Sequence, residues 1–198
     1  MIHLRLRDEE LQRLGESGYF VRDGWLGMEG AQAAARAVEM RGERLRPAGV
    51  SRAAAIDRAI RGDAITWIDP ADEDPTLAQL ATGFIGLGEA LREQAYLGVR
   101  RQEVQLARYP GDGSGYQRHQ DAHADGLGQP RRVTAIYYLN RDWQPTHGGL
   151  LRLHLPAGAV DVAPLLDRLV VFLSERVEHE VLPVLAPRWA ATAWYYGG

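Results

Sequence analysis

Cysteine is absent from this 198-residue chain, which removes disulfides, thiolate catalysis, cysteine-held zinc and iron–sulfur clusters. It leaves the compartment open, because a chain without thiols tolerates any redox environment. Lysine is absent too: all 23 of its Lys-or-Arg residues are arginine, and no function is read from that. No run of about 18 apolar residues occurs, so no membrane-spanning helix is expected. Met1 to Glu10 is charged and lacks the apolar stretch of a secretion signal, so the cytoplasm is the expected location. Nor does one sign of charge dominate. The net charge of −3 gives no electrostatic basis for general nucleic-acid binding, and neither nucleic acid nor membrane is expected as a partner. With no repeat, low-complexity tract or linker, the length fits a single domain over 1–198 with a substantial core.

The two halves of the chain carry different patterns. In the first, Asp8 is expected to cap a short helix ending near Gly15. Tyr19 to Val21 reads as a strand before a turn at Gly24. Met28–Arg41, rich in alanine, and Thr76–Ala95, following Pro75, read as helices, although Gly83, Gly86 and Gly88 weaken the second. Arg61 to Pro70 reads as a turn and a short strand. From Val99 onward, short β-type runs alternate with Gly, Pro, Asn and Asp. They are Glu103–Tyr109, Tyr116–Asp121, Arg132–Leu139, Leu150–Leu155, Leu169–Leu173, His179–Val184 and Trp189–Tyr196. Seven such runs predict a sandwich or jelly roll. The expected fold is mainly β, with helical support over about 1–98 and a β core over about 99–197.

The most informative stretch is Tyr116-Gln-Arg-His119-Gln-Asp121-Ala-His123. Residues i and i+2 of a strand share a face, roughly 6.5–7 Å apart, so His119 and Asp121 can converge on one metal ion. His123 shares that face, but roughly 13 Å of straight strand separates it from His119. A third ligand is therefore expected from elsewhere. His-x-Asp with a distant His is the ligand pattern of non-haem Fe(II) oxygenases. A zinc hydrolase using His119, Asp121 and His123 on a bent loop is the rival reading. Local sequence leaves His179, at the start of a β run, and His147, in a glycine-rich turn, both open as the third ligand. His154 is expected to face solvent beside Arg152.

Arg188 stands just before the last β run. A buried guanidinium needs an anion and grips a carboxylate with two hydrogen bonds, as an oxo-diacid would require. Gly111-Asp-Gly-Ser-Gly115 lacks the following helix and Lys-Ser/Thr of a phosphate loop and reads as a tight turn.

Taken together, these segments resemble the 2-oxoglutarate-dependent prolyl 4-hydroxylases of the hypoxia-inducible-factor type, especially their bacterial relatives. The matching segments are Ile60-Arg-Gly-Asp-Ala-Ile-Thr-Trp-Ile68, Tyr109-Pro-Gly-Asp-Gly-Ser-Gly-Tyr116, Arg118-His-Gln-Asp121, Val133-Thr-Ala-Ile-Tyr-Tyr-Leu-Asn140, Gly148-Gly-Leu-Leu-Arg152, His179-Glu-Val181 and Arg188 through Trp194-Tyr195. They occur in the family's order and cover nearly the whole chain. The resemblance implies a double-stranded β-helix with Fe(II) held by His119, Asp121 and His179. It implies that Arg188 pairs with the C5 carboxylate of 2-oxoglutarate, assisted by the Tyr138 hydroxyl. Tyr109, Ile136, Leu151, Val181, Thr192 and Trp194 would line that pocket. Arg61 and Asp63 match a segment that closes over substrate in the family, and Arg131 or Arg132 would face the substrate.

The implied reaction consumes 2-oxoglutarate and dioxygen, with ascorbate as supporting reductant, and hydroxylates a prolyl residue at C4. A protein carrying the target proline is the expected partner, a translation factor such as elongation factor Tu among the candidates; free proline or another small molecule is the alternative. Related halogenases replace the metal-binding carboxylate with a small residue, so Asp121 points to hydroxylation. Two departures bear on substrate: Ala122–Pro130 is longer than the corresponding turn of animal enzymes, and the chain stops at Gly198 without their C-terminal helix.

Overall fold

The computed structural model describes residues 4–49, 60–124 and 128–197. Helix α1 (Asp8–Ser17) leads into strand β1 (Tyr19–Asp23) and helix α2 (Gly27–Arg41). The cap of α1 is Arg7, not Asp8: the Glu10 carboxylate accepts the Arg7 backbone N–H at 2.8 Å. Asp8, Glu9 and Glu10 instead fill the first turn, where negative charge complements the helix dipole. Strands β2 (Arg46–Pro47) and β3 (Ala64–Ile68) precede helix α3 (Pro75–Gln94). Asp74 caps α3, accepting from the backbone of Thr76 and Leu77, with Pro75 in the first turn. The glycines of α3 include one demanded by packing. A Cβ on Gly88 would lie 2.8 Å from the Tyr195 ring, so the close approach of helix to sheet there requires glycine.

The remaining strands are β4 (Val99–Tyr109), β5 (Tyr116–His119), β6 (Arg131–Tyr138), β7 (Leu151–Leu155), β8 (Gly158–Val162), β9 (Arg168–Leu173), β10 (Glu178–Val181) and β11 (Arg188–Gly197). Two antiparallel sheets result, one ordered β1-β9-β6-β11-β4-β3-β2 and one ordered β5-β10-β7-β8. The seven expected runs correspond to β4, β5, β6, β7, β9, β10 and β11. β8 is an addition: its alanine and glycine give little β signal, and it forms as the hairpin partner of β7. The first half contributes β1, β2 and β3, which flank both edges of the large sheet.

Strand β6 shows how the layers form. Val133, Ala135 and Tyr137 face a core containing Phe84, Leu87 and Leu91 of α3. Ile136 and Tyr138 face the other way, against Leu151 and Leu153 of the small sheet. A strand buried on both faces reads as a continuous apolar run, as Leu169–Leu173 of β9 also does. The architecture is a double-stranded β-helix backed by helices on the outer face of the large sheet. No helix among the described residues is long and apolar enough to cross a membrane.

Candidate metal centre and cosubstrate pocket

The β5–β10 register sets His119 directly opposite His179, and Asp121 lies two residues past the end of β5. Ligand atoms of the three side chains all lie within 4.8 Å of one another. Nε2 of His119 is 3.7 Å from one Asp121 oxygen, and Nε2 of His179 is 3.7 Å from the other. Nδ1 of His119 donates to the Gln117 carbonyl at 2.7 Å, which fixes the tautomer and leaves Nε2 with its lone pair toward the cluster. Burial, with His179 alongside, pushes the His119 pKa down to about 4. Burial also pushes His179 down. Both rings are therefore neutral at neutral pH, the form that binds metal. Burial alone would raise the Asp121 carboxyl, yet His179, His119, the Trp194 hydrogen bond and Arg131 hold it below its ordinary value.

The other histidines stand apart from this cluster. His147 sits in a 3-10 turn, where Nδ1 accepts from the Gln144 backbone at 3.2 Å. His154, expected in solvent, is half-buried and contacts Glu180 at 2.9 Å. His123 is exposed at the mouth of the cleft described next.

A cleft of ≈1120 Å³ holds the His–Asp–His cluster together with Arg188. Arg188 is 4% exposed. Its Nε donates to the Gly149 carbonyl at 2.9 Å, and its guanidinium carbon stands 5.0 Å from the Tyr138 ring and 5.4 Å from the Tyr109 ring. No carboxylate pairs with it among the described residues, and the Tyr138 hydroxyl is buried without a hydrogen-bond partner. Burial raises the pKa of Tyr138 and Tyr109, so both phenols stay protonated. A buried cation beside an idle phenol is a donor set for a carboxylate. Gly149 is necessary here: its φ is +70° and a Cβ would come within 2.8 Å of the Arg188 side chain. Ile136, Leu151, Val181, Thr192 and Trp194 line the same cleft.

Arg61 and Asp63 also line the cleft, and they form a two-bond ion pair (2.6 and 2.8 Å) instead of meeting solvent. Arg131 lies over the Trp194 ring at 4.4 Å and reaches the cleft. Arg132 does not: it pairs with Glu175 at 2.8 Å. Simple alternation would put Arg132 on the face of Thr134 and Ile136, but the β6–β11 register shifts between Tyr195 and Tyr196, opposite Arg131 and Val133, and such an irregularity re-aims the side chains beside it. The Gly111–Gly115 segment is the expected turn, with Asp112 accepting from the Ser114 backbone at 3.0 Å. Sequence reasoning passed over Thr134. Its hydroxyl bonds both Asp121 and Ser174 at 2.9 Å, and its place two residues from Ile136 on the inner face was the available signal.

Residues 104–196 match the family described as the 2OG-Fe(II) oxygenase superfamily. The human prolyl hydroxylase EGLN3 is 40% identical over 157 residues, 75% of this chain and 62% of that protein. The chain thus spans less than two thirds of this curated relative. A prolyl-4-hydroxylase from Pseudomonas putida superposes with a TM-score of 0.84 at 34% identity, covering 96% of this chain and 98% of that one. This chain belongs to the 2OG-Fe(II) oxygenase superfamily. Within it the oxygenase is also similar to a Trichoplax adhaerens prolyl hydroxylase solved with a hypoxia-inducible-factor peptide fragment (TM-score 0.83, 29% identity, 95% of this chain and 87% of that one). The metal and cosubstrate in the family's name suit the residues present. Two neutral imidazoles and a carboxylate fit Fe(II), and the unpaired buried guanidinium fits a dicarboxylate.

Proposed function

We propose that the chain is an Fe(II)- and 2-oxoglutarate-dependent dioxygenase that hydroxylates a prolyl residue at C4 in a protein. The observation that carries this reading is Arg188, a buried cation without a carboxylate partner among the described residues, in the cleft that holds His119, Asp121 and His179. When bound, iron and 2-oxoglutarate together supply the oxidising chemistry that places one dioxygen oxygen in a C–H bond while the keto acid loses carbon dioxide to give succinate. The chain's own residues bind and orient. His119, Asp121 and His179 would hold the metal on one side and leave the opposite side to cosubstrate and dioxygen. Arg188 and the Tyr138 hydroxyl would grip the C5 carboxylate. Ile136, Leu151 and Val181 exclude water around the carbon chain, which protects the oxidant from side reactions.

The likeness to a prolyl hydroxylase solved with a hypoxia-inducible-factor peptide fragment favours a polypeptide over free proline. Arg61, Asp63 and Arg131 at its mouth are the proposed substrate contacts. A translation factor such as elongation factor Tu is the candidate partner implied by the bacterial resemblance, and ascorbate the supporting reductant. The test is succinate release from 2-oxoglutarate under air with Fe(II) and ascorbate. Host proteins incubated with the enzyme should carry prolines heavier by one oxygen. Activity shared equally by wild type and His179→Ala would defeat the metal assignment, and turnover driven by free proline but by no protein would favour the small-molecule alternative.

A further inference from the structure

Gln105 lies on β4, opposite Trp67 of β3 on one side and Thr192 of β11 on the other, and all three line the cleft. A carboxamide 3% exposed must satisfy a donor end and an acceptor end. Its acceptor end is fixed. Nη2 of Arg61 points at it from 2.7 Å, and Arg61 is itself held by its two bonds to Asp63. A guanidinium has no lone pair to offer, so the carboxamide atom facing it is the oxygen, and the orientation follows from chemistry. The two hydrogens on Nε2 are left without an acceptor among the described residues. One wall of the cleft therefore offers an unmet donor.

An unmet donor favours a ligand that accepts. Proline has no backbone N–H, so the X–Pro peptide bond offers the wall a carbonyl oxygen and no competing donor. The cosubstrate is the competing acceptor, because Thr192, paired with Gln105, belongs to the same cleft as Arg188; separate KM values for peptide and 2-oxoglutarate distinguish the two.

We propose that Gln105 is a substrate-binding residue whose Nε2 donates to a backbone carbonyl beside the target proline, with the Arg61–Asp63 pair holding the carboxamide in that orientation. This rests on the prolyl-hydroxylase reading. The probe is an array of synthetic proline-containing peptides drawn from host proteins, scored by gain of one oxygen mass. Kinetics on a peptide modified by wild type are then compared with Gln105→Glu and Gln105→Met. Glu keeps the size and accepts from Arg61, but presents an acceptor where the donor was. Met removes both ends. Loss of one hydrogen bond raises the peptide KM about tenfold for Gln105→Met, and Gln105→Glu raises it further because two acceptors then face each other. The KM for 2-oxoglutarate stays within about twofold, below the cost of one hydrogen bond. A purely structural role would leave Gln105→Glu close to wild type, and that result overturns the inference. So does a rise confined to the 2-oxoglutarate KM. A wild-type enzyme that modifies no peptide in the array would overturn the prolyl reading, and this inference with it.

Discussion

The Trp194 indole donates to Oδ2 of Asp121 at 2.8 Å, the same oxygen that Thr134 reaches at 2.9 Å. Two donors on one carboxylate oxygen lock the rotation of the group and leave Oδ1 turned toward His119. Residues that orient a ligand from behind typically contribute 10- to 100-fold in metal affinity. Trp194→Phe keeps an aromatic ring and deletes the donor. It is expected to weaken Fe(II) binding by about tenfold or more, measured by competition with a chelator, and an unchanged affinity would show that Thr134 alone suffices.

Arg188 makes a second prediction with opposite signs for binding and stability. Truncating one partner of a buried charged contact costs about 2–5 kcal/mol of binding, so Arg188→Leu should lose 2-oxoglutarate binding almost entirely. Without ligand, the same change removes a buried cation that no carboxylate among the described residues balances. The melting temperature of the ligand-free protein should hold or rise, and a large fall would mean that the Gly149 contact is structurally essential.

Two glycines in α3 separate helix propensity from packing. Nothing lies within 4 Å of a Cβ placed on Gly86, so Gly86→Ala should stabilise by about 0.5–1 kcal/mol. At Gly88 the added carbon meets the buried Tyr195 ring at 2.8 Å. Overpacking of about 1–3 kcal/mol then outweighs the propensity gain, and Gly88→Ala should destabilise. Denaturant titration of the two variants checks the opposite signs.

The Glu10–Arg22 pair, buried between α1 and β1, sets an acid limit. Burial works to raise the Glu10 carboxyl, but hydrogen bonds from Arg22 and the Arg7 backbone, with the Arg22 charge, hold it below 4.5. A depressed folded-state pKa gives stability that is complete above about 4.5 and lost as pH falls through the lower folded value. Wild type should lose stability steeply in that acid range, while Glu10→Gln starts less stable and shows a shallower decline. Melting temperatures across pH 3 to 7, roughly spanning that window, give the comparison.

Much of this was legible beforehand, for identifiable reasons. His119 and Asp121 stood out because strand geometry puts alternate residues on one face. The strands of the core stood out because turns of Gly, Pro and Asp separated them. The third ligand was open between His179 and His147, since cross-strand register depends on distant turns that local pattern does not encode. β8 was passed over because Gly158, Ala159 and Asp161, all depleted in strands, dilute the β preference of Val160 and Val162, and its order comes from pairing with β7. Arg131 and Arg132 could not be separated in the sequence, because the register shift between Tyr195 and Tyr196 that decides which of them enters the cleft arises from pairing with β11 and leaves no local signal. Gln105 went unnoticed because its meaning lies in which atom Arg61 occupies, and a sequence does not contain that contact.

Strand β5 is four residues long and ends its sheet, with β10 as its neighbour there through a register irregularity. Its His119 faces His179 across that short seam. The other side of β5 is tied to the Ile60–Gly62 segment, where the Ile60 carbonyl accepts from the Gln117 N–H at 2.9 Å. An iron ion shared by the two rings would act as a rivet, adding to these few hydrogen bonds a tie between β5 and the interior, so the cleft's rim would be firmer with metal than without it.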